Sequence, residues 1–336
     1  MDRSDKTAFV LSGGASLGAI QVGMLRALYE RELEPDLIIG TSAGALNGGF
    51  IASRPQTVET ADELADVWRR IGRWEVFPPN PLTGFLGFFG LKDHLVSAGS
   101  LGRIVDAEID FDRLESAVVP FHVIATDALS GRELRLSAGP AREAVMASAA
   151  LPGVFPPTCW DGRELIDGGV SNNTPISHAI ELGAETVYVL PTGTACDLPE
   201  PPRGAVGMLL HAMSLLVMRR LLIEIESLKD LARLIVLPPP CPLNVSPIDF
   251  SRTEELIERG LHDARGYLEE VERGAPVPLA MTMHDHGRGT LDEPGRAGCA
   301  DDAQGSPSRM AFLRPGSTIS NLVRMPFSNQ IRRPSG

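Results

Sequence analysis

A serine between two glycines is the first chemistry this sequence offers. Gly40-Thr41-Ser42-Ala43-Gly44 fits G-x-S-x-G, the pattern in which a sharp strand-to-helix turn holds a serine hydroxyl clear of the backbone. Five such residues also occur by chance in glycine-rich turns, so the pattern gains weight only from its neighbours. Here the apolar run Leu37-Ile38-Ile39 precedes it and small residues suited to a helix follow. Gly40 and Gly44 let neighbouring backbone approach without a Cβ in the way.

Upstream, Ser12-Gly13-Gly14-Ala15-Ser16-Leu17-Gly18 closes the apolar run Ala8 to Leu11. A phosphate-binding P-loop needs a lysine after its last glycine, and none follows Gly18. A dinucleotide fingerprint wants a glycine where Ala15 stands and an acid at the end of the next strand, whereas Asp36 lies at its start. The third reading is an oxyanion hole made of the Gly13, Gly14 and Ala15 amides. Turns after adjacent parallel strands lie side by side, so this loop and Ser42 become neighbours and explain each other.

A serine nucleophile needs a base, most often histidine. The seven histidines are His94, His122, His178, His211, His262, His284 and His286. None sits in a post-strand turn with glycine or acidic neighbours. Asp167-Gly168-Gly169 does, after the short run Glu164-Leu165-Ile166. An Asp-Gly pair is also a common plain turn. A carboxylate near its ordinary pKa of about 4 is a weak base for an alcohol, so an Asp167 base requires an apolar setting that raises it and an oxyanion hole that supplies much of the rate.

The elements that must position these residues follow from periodicity. A strand at Ala8–Leu11, a helix over about Gly18–Glu32, a strand at Leu37–Ile39 and a second helix after Gly44 make a β-α-β-α opening, which predicts a parallel sheet with right-handed crossovers. Helices are predicted over Thr57–Ile71, Leu101–Glu108, Pro140–Ala150, Val206–Arg233 and Arg252–Arg273. Further strands are predicted at Phe121–Ala125, Glu133–Leu136 (a returning hairpin strand), Glu164–Ile166, Thr186–Leu190 and Leu234–Leu237. Asp167 is thereby expected at the carboxyl edge of the sheet, beside Ser42.

Four motifs now stand in order: the glycine loop, the G-T-S-A-G elbow, Ala147-Ser-Ala-Ala-Leu-Pro-Gly-Val-Phe-Pro-Pro157, and Asp167-Gly-Gly169 followed by Asn172-Asn-Thr-Pro175. Their order and spacing over residues 7–190 resemble the patatin-like phospholipases. The resemblance implies a three-layer α/β/α fold with a mostly parallel central sheet, and a Ser42–Asp167 dyad with Ser42 as nucleophile and Asp167 as base. It also implies an oxyanion loop at Gly13, Gly14 and Ala15, with Gly18, Gly40, Gly44, Gly168 and Gly169 supporting the motifs. The expected activity is hydrolysis of lipid carboxylic esters through an acyl-enzyme, with no cofactor and no metal. Two positions depart from the family loop, often G-G-G-x-R-G: Ala15 stands for the third glycine, and Leu17 for the arginine. A hole at Ala15 therefore needs backbone angles that a Cβ tolerates, and Leu17 removes a cation that could favour anionic head groups.

Other functions stay open at this level. An acyltransferase would use the same acyl-enzyme with an acceptor other than water. A silent lipid-binding protein would keep the fold without turnover. A Ser-His-Asp hydrolase using His262 fits less well, because that fold places several strands before its elbow.

Composition narrows the field further. The net charge of −12 repels phosphate backbones and disfavours nucleic acid and purely electrostatic binding to an anionic membrane. Transient contact of an apolar patch with a membrane surface remains an expectation, with Phe85, Phe88, Phe89 and Leu91 lining an acyl entrance or packing beneath a loop. Met208, Met213 and Met218 on the long helix either face a lipid groove or serve as core, the commoner role for methionine. The four scattered cysteines point to a reducing compartment, and no apolar run is long enough for a signal peptide or a membrane span, so a cytoplasmic protein, peripheral to membranes at most, is expected. Residues 1–273 are expected to form one hydrolase domain, with 205–273 as its helical C-terminal part. The Gly-, Pro- and Ser-rich stretch 274–336 is expected to be a disordered tail.

Overall fold

The computed structural model of the chain describes residues 5–78, 94–193 and 204–274. The expected acyl-entrance residues Phe85, Phe88, Phe89 and Leu91, and the tail beyond Gly274, lie outside these. The opening alternates as the periodicity requires: β1 (Thr7–Leu11), α1 (Ala19–Tyr29), β2 (Leu37–Thr41), α2 (Ala43–Ala52), then α3 (Val58–Arg70) and a short α4 (Arg73–Val76). After α5 (Gly99–Glu108) come β3 (Phe121–Asp127), β4 (Glu133–Leu136), α6 (Ala141–Ser148), β5 (Thr158–Trp160) and β6 (Arg163–Asp167). The chain continues through α7 (Ile176–Glu181), β7 (Thr186–Leu190), α8 (Ala205–Leu228), β8 (Arg233–Val236) and α9 (Thr253–Glu272). The long helix thus ends at Leu228, short of the expected Arg233, whose residue already belongs to β8.

Five strands pair in parallel in the order β3-β2-β1-β7-β8, with β1 at the centre. Successive strand residues point to opposite faces, and the two cores divide accordingly. Phe9, Leu11, Ile38 and Phe121 join one cluster with α1, α2, α3, α6 and α9. Ala8, Val10, Leu37 and Ile39 join the other with α7 and α8. Helices on both faces of a mostly parallel sheet give the three layers that the family resemblance implied. The strands of this sheet are apolar along nearly their whole length because both faces are covered.

The antiparallel part decides how the site is built. β4 pairs with β3 over Val123–Thr126. β2 pairs with β3 over Phe121–Ile124, and β6 pairs with it over Ala125–Asp127. Val123 and Ile124 have both β2 and β4 as partners, and Ala125 and Thr126 have both β4 and β6. A strand has two edges, so β6 shares the β2 edge of β3 and begins where β2 stops. The expectation that Asp167 follows a strand running toward the carboxyl edge is corrected here: β6 descends antiparallel from beyond that edge, and its last residue meets the end of β2.

Among the described residues no helix is long and apolar enough to cross a membrane. Cys159 is a free, exposed thiol, whereas Cys241 is disulfide-bonded, which corrects the reading of four unpaired thiols and removes its support for a reducing compartment.

Candidate active site

Ser42 occupies the single residue between β2 and α2, with φ 54° and ψ −119°. A left-handed φ in a residue with a Cβ is a strained conformation, held only where the surroundings over-determine it. Two kinds of contact do so. The turn is wrapped tightly: a Cβ on Gly44 would lie 2.1 Å from the Leu11 carbonyl oxygen, and one on Gly40 would lie 2.4 Å from that of Gly44. Any side chain at either position forces α2 away from the sheet. The second contact is Ser148, fully buried in α6, whose hydroxyl accepts the Ser42 N–H at 2.8 Å and donates to the Ile124 carbonyl at 2.6 Å. Ile124 is the last β3 residue paired with β2, so Ser148 fills the junction where β2 gives way to β6. The Ala147–Pro157 motif carries Ser148, and nothing in the sequence assigns it a task.

Asp167 ends β6 and is 4% exposed. One carboxylate oxygen accepts the Ser42 hydroxyl at 2.7 Å, and the other accepts the Gly169 N–H at 2.7 Å. Burial pushes its pKa up to about 6, against the two hydrogen bonds, which lower it. Desolvation thus moves the group in the direction that an aspartate base requires. Gly168 has no room for a side chain, since a Cβ would lie 2.2 Å from the Ile124 carbonyl oxygen. At Gly169 a Cβ would meet the Asn173 side-chain oxygen at 2.8 Å.

The glycine loop lies beside the serine as expected, with its amides divided between two tasks. The Gly13 N–H donates to the Asn173 carbonyl at 3.2 Å, and Asn173 Nδ2 donates back to the Gly13 carbonyl at 3.2 Å. Gly13 is therefore an anchor, which corrects its expected place among the oxyanion donors. Leu17 and Ser16 donate to the Gly14 and Pro247 carbonyls. The amides of Gly14 and Ala15 have no hydrogen-bond acceptor among the described residues. Ala15 has φ 49°, the left-handed region that a glycine enters freely and an alanine enters at a cost. Gly18 closes the loop with the Trp68 ring and the Ala43 methyl so close that a Cβ would lie 2.8 and 2.9 Å from them.

Ser42, Asp167, Gly169, Asn173 and the loop residues Gly13, Gly14 and Ala15 open onto one cavity of about 220 Å³. Four helices each lend it a stripe at three- and four-residue spacing, one face of a helix. They are Ala43, Leu46, Asn47 and Phe50 of α2; Leu64, Val67 and Trp68 of α3; Leu101, Ile104, Val105 and Glu108 of α5; and Met213, Val217, Met218 and Leu221 of α8. Phe77, Phe155 and Phe250 complete an aromatic wall in which Trp68 stacks on Phe250 and Phe77 on Phe155. Met213 and Met218 therefore face the cavity, while Met208 is 48% exposed on the same helix. Leu17 is a lining residue as well, and among the described lining residues there is no lysine, arginine or histidine. His122, on β3, bonds Ser137, and His178 sits among Glu133, Glu181 and Arg135; neither histidine lines the cavity.

A hydroxyl bonded to a buried carboxylate, two amides alongside without an acceptor among the described residues, and an apolar cavity beneath stand together on a three-layer α/β/α fold. The family model of patatin-like phospholipases matches residues 9–180, and the chain belongs to that family. It is 26% identical over 296 residues to the lysophospholipase nte1 of Aspergillus terreus, covering 80% of this chain and 18% of the relative. It is 33% identical over 199 residues to the patatin-like phospholipase domain-containing protein ZK370.4 of Caenorhabditis elegans, covering 56% and 13%. With the mouse patatin-like phospholipase domain-containing protein 7 it shares 32% identity over 193 residues, covering 56% and 14%. The chain thus spans less than a fifth of each of these relatives. Among solved structures, VipD from Legionella pneumophila superimposes with a TM-score of 0.41 at 14% identity, covering 79% of this chain and 67% of that one.

Proposed function

We propose that this protein hydrolyses carboxylic esters of lipids, with Ser42 as nucleophile, Asp167 as its acid and base, and the Gly14 and Ala15 amides as oxyanion donors. The observation that carries this reading is the 2.7 Å hydrogen bond from the Ser42 hydroxyl to a buried Asp167 carboxylate. The carboxylate takes the hydroxyl proton as Ser42 Oγ bonds to the ester carbonyl carbon. Negative charge gathers on the former carbonyl oxygen, where the two amides hold it. The tetrahedral species collapses, the C–O bond to the alcohol breaks, and the alcohol leaves with the proton from Asp167. Water then gives a proton to Asp167 and attacks the acyl-enzyme, the bond to Ser42 breaks, and Ser42 recovers its proton as the fatty acid departs.

An Asp167 pKa of about 6 suits both halves of that cycle, since a group titrating near the working pH can take and return a proton. The apolar cavity takes the acyl chain, and each methylene it buries contributes about 0.8 kcal/mol. The absence of cationic residues from the described lining favours esters whose reacting end is neutral or zwitterionic. The lysophospholipase names of the fungal relatives agree with a lipid bearing a single acyl chain.

Fluorophosphonate labelling with intact-mass detection tests the reading, alongside hydrolysis of p-nitrophenyl esters of rising chain length. One adduct on the wild type, none on Ser42→Ala, and turnover that improves with chain length are expected. A wild type that neither labels nor turns over overturns the proposal in favour of a silent lipid-binding protein, and full activity in Asp167→Asn removes Asp167 as the base.

A further inference from the structure

Beneath the glycine loop lies a buried polar chain that the reaction as written above does not use. Trp68 Nε1 donates to Asn47 Oδ1 at 2.8 Å. Asn47 Nδ2 donates to the Gly18 carbonyl at 3.0 Å and to Gln21 Oε1 at 2.8 Å. Gln21 Nε2 donates to the Ser12 carbonyl at 2.9 Å and to the Leu190 carbonyl at 2.8 Å. Gln21, Asn47 and Trp68 are 0%, 1% and 5% exposed. Every side-chain N–H of the three is satisfied.

The direction of the chain is set at one end. An indole nitrogen can only donate, so Trp68 obliges Asn47 to present its oxygen on that side and its NH₂ on the other. That NH₂ in turn obliges Gln21 to present its oxygen to Asn47 and its NH₂ to the two carbonyls. The bonds to Ser12 and Gly18 hold both ends of the loop that carries the Gly14 and Ala15 amides. Trp68 also touches the loop directly, its ring filling the space where a Gly18 side chain would go. On their other side Trp68 and Asn47 line the cavity. Asn47 lies four residues along α2 from Ala43, about 6 Å below the elbow at the rise of an α-helix. A longer acyl group on Ser42 extends further toward this pair than a short one.

We propose that Trp68, Asn47 and Gln21 form a hydrogen-bonded relay through which an acyl chain in the cavity sets the oxyanion loop, so that chain length speeds the chemical step as well as binding. The three are positioning residues, since none reaches the reacting atoms. The inference rests on the hydrolase reading above. The chain alters the loop only through contacts it makes better when the loop is set than when it is not, and the Trp68 ring meets both the cavity and Gly18 at the end of the loop.

The test is the single-turnover acylation rate at saturating p-nitrophenyl acetate, butyrate, hexanoate and octanoate, together with KM for each. For the wild type a rise of about tenfold in the saturated rate is expected between butyrate and octanoate, a fraction of the hundredfold or more that a lost oxyanion donor costs. Trp68→Phe keeps an aromatic ring but no donor, so its saturated rate should be flat with chain length while KM still falls by about fourfold per methylene, the equivalent of 0.8 kcal/mol. Gln21→Met should lower the saturated rate at every length and leave the KM trend in place. Amide hydrogen exchange gives a readout apart from turnover: dodecanoate should slow exchange of the Gly14 and Ala15 amides in Ser42→Ala but not in Ser42→Ala/Trp68→Phe. A rate step that survives Trp68→Phe, or a flat wild type, overturns the relay and leaves the hydrolase standing. A wild type without Ser42-dependent acylation overturns both.

Discussion

Ser42 and Asp167 share a hydrogen bond, yet the chain brings them together by opposite routes and holds them at different costs. Ser42 rides up on a parallel strand and is forced into a left-handed turn, φ 54°, by packing from residues two positions away. Asp167 comes down on an antiparallel strand with an ordinary φ of −46° and instead loses its water. At the serine the cost is conformational, and at the aspartate it is electrostatic. Strain of either kind persists only where the rest of the fold outweighs it, so a substitution at either residue should abolish activity while relieving that residue's own cost.

The sharpest way to break that comparison is to relieve each cost separately. Asp167→Asn removes the buried charge and the base; its amide oxygen can still accept the Gly169 N–H, while its NH₂ donates to Ser42 Oγ in place of the bond the carboxylate accepted. Turnover should fall by about a hundred- to ten-thousandfold. The sign of the stability change follows from the raised pKa. Between the unfolded value of 3.8 and the folded value of about 6 the native state binds more protons than the unfolded one, so wild-type stability declines as pH rises through that window. The Asn variant lacks this decline. Urea unfolding should show little difference at pH 4 and a gain of up to about 3 kcal/mol above pH 7. Ser42→Gly should be equally inactive and unlabelled by fluorophosphonate, but its stability should change by less than about 1 kcal/mol at pH 4, where relief of the left-handed turn opposes a freer unfolded chain, and should fall relative to wild type as pH rises, because the lost hydroxyl is one of the bonds that lower the Asp167 pKa. A Ser42→Gly gain that grows with pH would erase the distinction.

The same asymmetry appears in the rate. As pH rises from 5 to 7, kcat/KM for a p-nitrophenyl ester should climb about tenfold in all and level off, with an inflection near 6, the value to which burial raises Asp167. Ser148 tests the junction that joins the two residues. Ser148→Ala leaves the Ser42 N–H and the Ile124 carbonyl without their partner, which should cost about 1–3 kcal/mol in stability. Loss of the nucleophile's backbone anchor should lower kcat by about tenfold with KM little changed, because a slight misplacement of reacting groups is felt in the chemical step. Ser148→Thr, which retains the hydroxyl, should recover most of it.

How far the sequence discloses this site depends on how local each cause is. The elbow is legible because its strand, its turn and its helix are consecutive, and Gly40 answers to the Gly44 backbone within the same turn, although Gly44 answers to Leu11 on the neighbouring strand. The Asp167-Gly168-Gly169 turn is visible for the same reason. The direction of β6 is not, since it depends on β2 stopping at Thr41 and leaving Ala125 to Asp127 of β3 open, a pairing 40 residues apart in the chain. Ser148, the Gly13–Asn173 clasp and the Gln21–Asn47–Trp68 relay escape notice because each is a polar residue in an otherwise apolar helix or turn whose partner lies on another element. The strand and helix periods give such a residue a face and nothing more.

Ala15 is the point where local reading and structure can be sharpened against each other. Its left-handed φ of 49° is one that the glycine common in the family would adopt freely. Ala15→Gly therefore removes a cost of about 1 kcal/mol in the folded loop, but gives back nearly as much through the freer unfolded chain. Stability should change by less than about 1 kcal/mol, since the two effects oppose each other. The Ala15 amide keeps its place only if the relay and the Asn173 clasp, and not the methyl group, hold the loop. In that case the rate of fluorophosphonate labelling should stay within about threefold of wild type, far from the hundredfold loss that follows removal of an oxyanion donor. A fall of tenfold or more would mean that the alanine itself confines the loop, and that the residue departing from the family pattern is part of how this chain prepares its oxyanion site.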